Sequence, residues 1–408
     1  MRKIKKPYSP LINLIMFASL LVATPFLILQ NYLQTFVGEL SLSNFEFLGI
    51  VIPYVVILAL IILITLIIIN LKHFSRFRII SILITLLLMI IGQKLSDFYF
   101  NQKFYELQHN WHYFAYGLFS YIAYRYFKSK NKSDARIILL TFISTILIST
   151  FDEFIQIHIS SRIFDIGDIG KDMWGVVIGM FFINFVINKG EIIKQTWKIR
   201  EKKIKDYFNN SFSILFLETI FTLILLSISS QLTNIEYLGY SIFISVVLFL
   251  ILFFIFHLSQ KHIFKRIFIC ILIIYILVQG FFIVKYHKES IIHNSYGITV
   301  YKGIPLPFLD IMIFENGFFR FVDKKHDFNT RDKNTIFQYS NSILLIGSGK
   351  DGSGGNGFPE KLKPQFVFNT IKFKPLQIII LKTPEACKKY NQLKKEGYNV
   401  LFIIHNTC

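Results

Sequence analysis

Residues 152–179 read DEFIQIHISSRIFDIGDIGKDMWGVVIG. Asp152, Glu153, Arg162, Asp165, Asp168, Lys171 and Asp172 all fall inside this stretch. On either side stand apolar runs, Ile137–Phe151 and Met173–Ile187. Charges between runs of that kind are costly unless they are paired or wet, so they mark a functional site by default. The reading of the flanks decides the fold: if they cross a bilayer, the chain is a helical membrane protein and the charges sit at one of its mouths.

The rest of the chain agrees with a membrane reading. Of its 408 residues, 53% are hydrophobic and only 17% are charged, and the mean hydropathy is +0.51. That balance excludes an ordinary soluble domain. The net charge of +19 does not signal nucleic acid, because the Lys and Arg residues cluster in short segments between apolar runs. Orientation in a membrane explains them better. The three cysteines, Cys270, Cys387 and Cys408, are too scattered for a disulfide framework or a zinc site.

Nine apolar runs are long enough, or nearly so, to span the hydrocarbon. They are Leu11–Leu29, Phe47–Asn70, Ile79–Leu95, His112–Phe127, Ile137–Phe151, Met173–Ile187, Ser211–Gln231, Gly239–Ser259 and Ile267–Val284. Basic residues follow the second, fourth, sixth and eighth runs and fill the N-terminal tail. The other connections are poor in Lys and Arg. This alternation predicts a cytoplasmic N-terminus and an outward-facing 152–172 segment. Nine spans then place everything after Lys285 outside as well.

After Lys285 the pattern changes to short β-rich runs, Ile298–Tyr301, Ile311–Glu315, Ile343–Ile346, Ile378–Leu381 and Val400–Ile404. One helix is predicted over Pro384–Glu396, with Pro at its start and Gly397 just past its end. The expected fold class is therefore an α-helical multi-span membrane protein of about nine transmembrane helices with a C-terminal soluble α/β domain. The expected division is 1–78 for the first spans, 79–187 for a central membrane domain, 188–285 for a basic linker with three more spans, and 286–408 for the α/β domain.

Three segments meet at one membrane level in this topology. The fourth span brings His109, His112 and Tyr116, at i, i+3 and i+4 spacings that share a helix face. The end of the fifth brings Asp152, Glu153 and Gln156. The following segment brings Arg162, Asp165, Asp168 and Asp172. One reading is a polar pocket for a headgroup, cation or sugar-phosphate, with Arg162 contacting phosphate or carboxylate. The plainer reading has Asp168 or Asp172 capping the sixth span and Arg162 paired with Asp165 in a solvated loop. A metal held by His109, His112, His158 and carboxylates is a third, but no spacing matches a metal motif. No metal, cofactor or catalytic residue is assigned.

The pattern resembles the VanZ-like membrane protein family over about Ile79–Ile187. It consists of His112, Tyr116, Gly117 and Leu118, then Asp152, Glu153 and Gln156, then Arg162, Asp165 and Asp168, then Gly175 and Gly179. The chain departs from the family pattern at Gln108-His109, Ser160-Ser161 and Asp172. The resemblance implies an integral protein of the cell envelope, linked in some members to glycopeptide (teicoplanin) resistance. It implies a ligand site at His112, Tyr116, Glu153, Gln156, Arg162, Asp165 and Asp168, with a lipid or envelope-glycan headgroup as partner. The glycines Gly175 and Gly179 also read as a small-xxx-small contact between helices. Alternatives of other classes stay open: a membrane scaffold or assembly protein, and a membrane enzyme acting on a lipid or sugar-phosphate.

In the C-terminal part, Gly347-Ser-Gly349-Lys-Asp-Gly352 follows an apolar run, but Ser353–Pro359 cannot open the helix a dinucleotide site needs. Gly347, Gly349, Thr383, Ala386, Cys387, Tyr390, Asn391, Leu393, Glu396, Gly397 and Val400 resemble the small α/β domain shared by an adipogenesis-associated protein and a respiratory-complex assembly factor. That resemblance, over about Ser295–Cys408, implies an interaction domain with a protein partner. Cys387 is expected to pack on the sheet; a reactive first-turn thiol and a Cys387–Cys408 disulfide are the alternatives.

Overall fold

The computed structural model describes residues 9–24, 36, 39, 43–47, 50–54, 57–58, 61, 65, 75–96, 107–158, 164–196, 203–231, 238–307, 309–321, 343–350, 352, 365–369 and 374–406. It divides into two compact units, 1–230 with 235–260, and 231–234 with 261–408.

The first unit is built mainly of helices. In chain order they are α1 (Pro10–Ala23), α2 (Arg76–Ser96), α3 (Leu107–Ser129), α4 (Asp134–Gln156), α5 (Ile166–Phe181), the short α6 (Glu191–Thr196) and α7 (Ile204–Asn209), α8 (Ser211–Gln231) and α9 (Leu238–Leu258). The backbone of α5 widens into a π-helical turn over Phe182–Ile187. Among the described residues, six helices are long and apolar enough to cross a membrane: α2, α4, α5 with its π turn, α8, α9 and, in the second unit, α10 (His262–Tyr286). The 23-residue α3 is as long, but it carries Asn110, His112, Arg125 and Lys128 and is not among the six. The molecule is thus mostly helical, in a form compatible with a membrane protein.

Two expectations need correction here. The second apolar run does not begin as a helix at Phe47. Strands β1 (Asn44–Phe47) and β2 (Ile50–Pro53) form an antiparallel hairpin instead. The β-branched Ile50-Val51-Ile52 favours an extended chain, and Pro53 has no N–H to donate to a ladder or helix. Most of the remainder of that run lies outside the described residues, as does the end of the first, Leu11–Leu29. The segment before Met173, expected as a loop, is also largely helical. α5 starts at Ile166, so Asp168, Lys171 and Asp172 lie on the helix rather than ahead of it.

Helix α5 is the axis of the first unit. Within Ile166–Ile187, 78% of the apolar window is buried, whereas no residue in that of α10 is. Its Met173, Trp174, Val176, Val177 and Met180 are nearly inaccessible and join one core with residues of α3, α4 and α8. Two glycines make the closest approach possible. A Cβ on Gly175 would stand 2.9 Å from the His112 carbonyl and 3.1 Å from the Tyr113 Cα. One on Gly179 would stand 2.8 Å from the Gly117 carbonyl and would also strike Ser120 Oγ. The backbones of α3 and α5 therefore touch along the Gly175-x-x-x-Gly179 stripe, which is the packing role expected of it. On the α2 side Trp174 Nε1 donates to the Leu88 carbonyl at 2.9 Å, and its ring fills the space beside Gly92.

The second unit joins α10 to a sheet-containing region. A three-stranded antiparallel sheet holds β3 (Ile291–Ser295), β4 (Ile298–Tyr301) and β5 (Ile304–Pro307). A six-stranded mixed sheet runs in the order β7 (Phe319–Phe321), β6 (Ile311–Ile313), β11 (Val400–Ile404), β8 (Ile343–Gly347), β10 (Lys374–Leu381) and β9 (Gln365–Asn369). Its centre is parallel, with β8 paired to both β10 and β11. Strands buried on both faces read as unbroken apolar runs, which is why ILLIG and VLFII are conspicuous in the sequence. Helix α11 (Thr383–Lys395) crosses from β10 to β11 and buries Ala386, Cys387, Tyr390 and Leu393. Pro384 sits in its first turn, and Gly397 beyond its end adopts φ +84°, the left-handed conformation that favours glycine. Helix α10 is tied to this unit by Gln279 Nε2, which donates to the Gly303 carbonyl at 2.8 Å.

Candidate functional site

The polar cluster forms where α3, α4 and the start of α5 meet. Because α3 and α5 touch at Gly175, Asp172, nearly one turn above that glycine, is driven against α3. His112 Nδ1 donates to Asp172 Oδ1 at 2.7 Å. From α4, Ser149 Oγ donates to Asp172 Oδ2 at 2.6 Å. Both oxygens of a nearly inaccessible carboxylate are thus engaged, as burial of such a group requires. Capping does not account for Asp172; the cap of α5 is Asp165, whose Oδ1 accepts from Gly167 N at 2.7 Å. Asp172 lies inside the helix, where it has no free N-terminal N–H to accept from.

One turn nearer the N-terminus of α5, Lys171 Nζ bonds Asp168 Oδ1 at 2.6 Å, and His112 Nε2 stands 3.9 Å from the same oxygen. The imidazole is held between two carboxylates, one closed off and one partly exposed. The side chain of His112 is 28% exposed, against 3% for Asp172 and 21% for Asp168. Tyr116, at i+4 from His112, is buried beside Asp172, Asp152 and Ser149.

Glu153 and Gln156 form the neighbouring group. Gln156 Nε2 donates to Glu153 Oε1 at 3.3 Å, and the Asp165 backbone N–H donates to Glu153 Oε2 at 2.9 Å. Glu153 therefore fastens the end of α4 to the N-cap of α5. At that cap, burial and then the neighbouring Asp168 push the Asp165 carboxyl above its ordinary range.

Of the residues expected at the site, His112, Tyr116, Glu153, Gln156, Asp165 and Asp168 gather here. Arg162 lies outside the described residues, and so does the side chain of His109. His158 is exposed and near the Ile155 carbonyl at 3.3 Å, so it stays out of the cluster. Among the described residues no group of three His, Cys, Asp or Glu side chains is arranged to hold a metal.

Three participants carry roles that sequence reasoning does not give them: Asp172, Lys171 and Ser149. Helical spacing holds a signal for Ser149, which lies at i−4 from Glu153 and i−3 from Asp152. A further acid, Glu218, escapes the sequence reading inside the apolar run of α8. A lone carboxylate in such a run is itself a signal.

In the second unit, the start of the glycine-rich segment, Gly347–Gly349, is held by bonds within the protein. Ser348 N donates to the Leu381 carbonyl at 2.9 Å, and Gly349 N donates to Thr383 Oγ1 at 2.8 Å. Cys387 is a buried thiol, free among the described residues; Cys408, the other half of the alternative disulfide, lies outside them. Burial pushes that thiol up to about 12, so the first-turn position does not make it reactive.

The class that fold and cluster define is a mostly helical protein, compatible with membrane insertion, carrying a small mixed-sheet region at its C-terminal end. No family model matches the chain, and no curated protein matches it. Among solved structures, one titled MT938 aligns with 29% of this chain and 98% of its own, at 23% identity and a TM-score of 0.23. Likeness at that level carries no argument about function.

Proposed function

We propose that the chain is a VanZ-like integral protein of the cell envelope, with about nine spans, whose α3–α4–α5 cluster is an outward-facing pocket for a polar headgroup. The observation that carries this reading is the His112–Asp172–Ser149 contact with Asp168 and Lys171 beside it. Three helices contribute to it, and part of it is open. Polar groups at membrane depth are costly. A purely structural network closes on itself, whereas this one leaves an imidazole and an ion pair partly exposed. The ligand class consistent with these groups is a lipid or envelope-glycan headgroup. The glycopeptide link rests on the resemblance in the sequence.

Two experiments test it. A host deleted for this chain is compared with its parent for teicoplanin susceptibility, and complemented with wild type and with Glu153→Gln at equal expression. The expected result is a susceptibility change that wild type reverses and Glu153→Gln does not. Unchanged susceptibility on deletion removes the glycopeptide assignment, and full complementation by Glu153→Gln removes the pocket. A C-terminal reporter fusion tests the nine-span count, with an extracytoplasmic signal expected.

The alternative is a membrane scaffold that anchors the C-terminal unit. It is favoured by the separate, closed core of that unit around Ile313, Leu345, Tyr390 and Phe402. Truncation after Lys285 distinguishes the two: a phenotype kept by the truncated chain assigns it to the helical unit.

A further inference from the structure

Glu218 lies seven residues into the apolar helix α8 and is only 6% exposed. Among the described residues, neither of its carboxyl oxygens has a hydrogen-bond partner. Thr222 is wholly buried, and its hydroxyl likewise has no partner among them. Positions i and i+4 share a helix face, so two orphaned oxygen groups occupy one buried face. The same helix packs on α5 further along, where Leu226 and Ser229 meet Gly170. Glu218 stands about 12 Å along the axis from Leu226, well inside the span and away from either end.

Among the described residues, no hydrogen-bond partner on any packed helix offsets the burial of Glu218. An ionised carboxylate there is an unpaired charge in a low-dielectric interior. The neutral acid is the cheaper form, yet its O–H and C=O still go unbonded. Packing gives no reason for an acid at this place, since a leucine or methionine fills similar space without burying a polar group. What an isolated, buried carboxyl can do that an aliphatic side chain cannot is hold a proton and release it.

We propose that Glu218 and Thr222 form a proton-binding site inside the helical unit, separate from the polar cluster. Its ligand is the proton itself. On release the Glu218 O–H bond breaks, the proton passes to water, and the carboxylate that remains accepts a hydrogen bond from the Thr222 hydroxyl. Uptake reverses each step. This site stands or falls independently of the headgroup reading.

The full chain in its membrane is treated with dicyclohexylcarbodiimide, an apolar reagent that reacts with protonated carboxyls in membrane interiors. The acid adds across a C=N bond, its proton goes to nitrogen, and the O-acylisourea rearranges to a stable N-acylurea with no leaving group. Peptide mass spectrometry across a pH series reads the adduct at residue 218. The expected result is an adduct that falls about tenfold per pH unit above the titration midpoint and is absent from Glu218→Gln. Labelling that does not change with pH overturns the proposal. Infrared difference spectra of wild type minus Glu218→Gln give a second reading that needs no reagent access. A carboxylic C=O band that shifts in deuterated water supports exchange. A missing band, or one that does not shift, overturns it.

Discussion

Each unit contains a histidine–aspartate pair, and the two are built to opposite ends. In the C-terminal unit, His405 Nδ1 donates to Asp310 Oδ2 at 2.9 Å, and Asn406 N donates to Asp310 Oδ1 at 2.7 Å. Both side chains of the pair are almost wholly inaccessible, at 2% and 0%. Thr299, Asn294 and the Leu309 carbonyl extend the network through Asn406. This pair pins the end of β11 to the start of β6. In the helical unit, His112 holds Asp172 at a similar distance but keeps over a quarter of its side chain open beside Asp168 and Lys171. The chemistry of a dyad therefore says little by itself. Whether it is closed on protein or open on one side separates a fastening from a site.

The largest effect that can break this contrast is expected at Asp310. Asp310→Ala leaves buried donors from His405 and Asn406 without an acceptor, and a broken buried pair costs about 3–5 kcal/mol. Proteolysis and hydrogen exchange of the full chain in detergent are expected to show the C-terminal unit opening while the helical unit stays protected. Unchanged protection at β6 and β11 would mean that the pair is not a fastening.

Next in size is a pH effect confined to the same core. The Cys387 thiol is neutral when protonated, and burial raises its folded value from 9.0 to about 12. The folded unit thus holds the proton more tightly, so stability is intact below about pH 9 and declines as the pH rises from there toward 12. A tenfold change in proton affinity corresponds to about 1.4 kcal/mol, so the decline amounts to a few kcal/mol at most. Cys387→Ala is expected to flatten that decline, and a slope identical to wild type contradicts it.

A smaller effect tests how the open dyad is positioned. Gly179→Ala puts a methyl against the Gly117 carbonyl and Ser120, with an overpacking cost of about 1–3 kcal/mol. It is expected to lower the detergent melting temperature and to separate α3 from α5, exposing His112 further. Smallest is Gly397→Ala, about 1 kcal/mol. The residue has φ +84° but nothing within 4 Å of an added Cβ, so backbone strain is its whole cost. A loss much above this in unfolding of the C-terminal unit would reveal a contact that the open space around Gly397 does not provide.

Much of the fold is legible in the sequence because its signals are local. Apolar runs locate α2, α4, α8, α9 and α10 to within a few residues. Runs such as ILLIG and VLFII locate the buried parallel strands, and Pro384 with Gly397 brackets α11. The hairpin at 44–53 is hidden because its apolar residues run directly into a longer apolar stretch. The role of Asp172 is hidden for a different reason. Spacing places it near a helix start and suggests a cap, whereas its partners come from α3 and α4 and depend on the close approach at Gly175 and Gly179. Ser149 reads as one more small residue in an apolar helix until Asp172 is set opposite it. Strand order in the six-stranded sheet likewise follows from pairings between residues distant in the chain, such as Ile404 with Ile311.

The contrast between the two dyads can be measured without knowing any ligand. Diethyl pyrocarbonate modifies accessible imidazoles, and peptide mass spectrometry follows each histidine of the folded, full-length protein separately. His112 is expected to be modified in the native state, and His405 only after the C-terminal unit is unfolded. Equal rates for the two, or a His112 that stays protected until the helical unit unfolds, would contradict the reading of the α3–α4–α5 cluster as an open site.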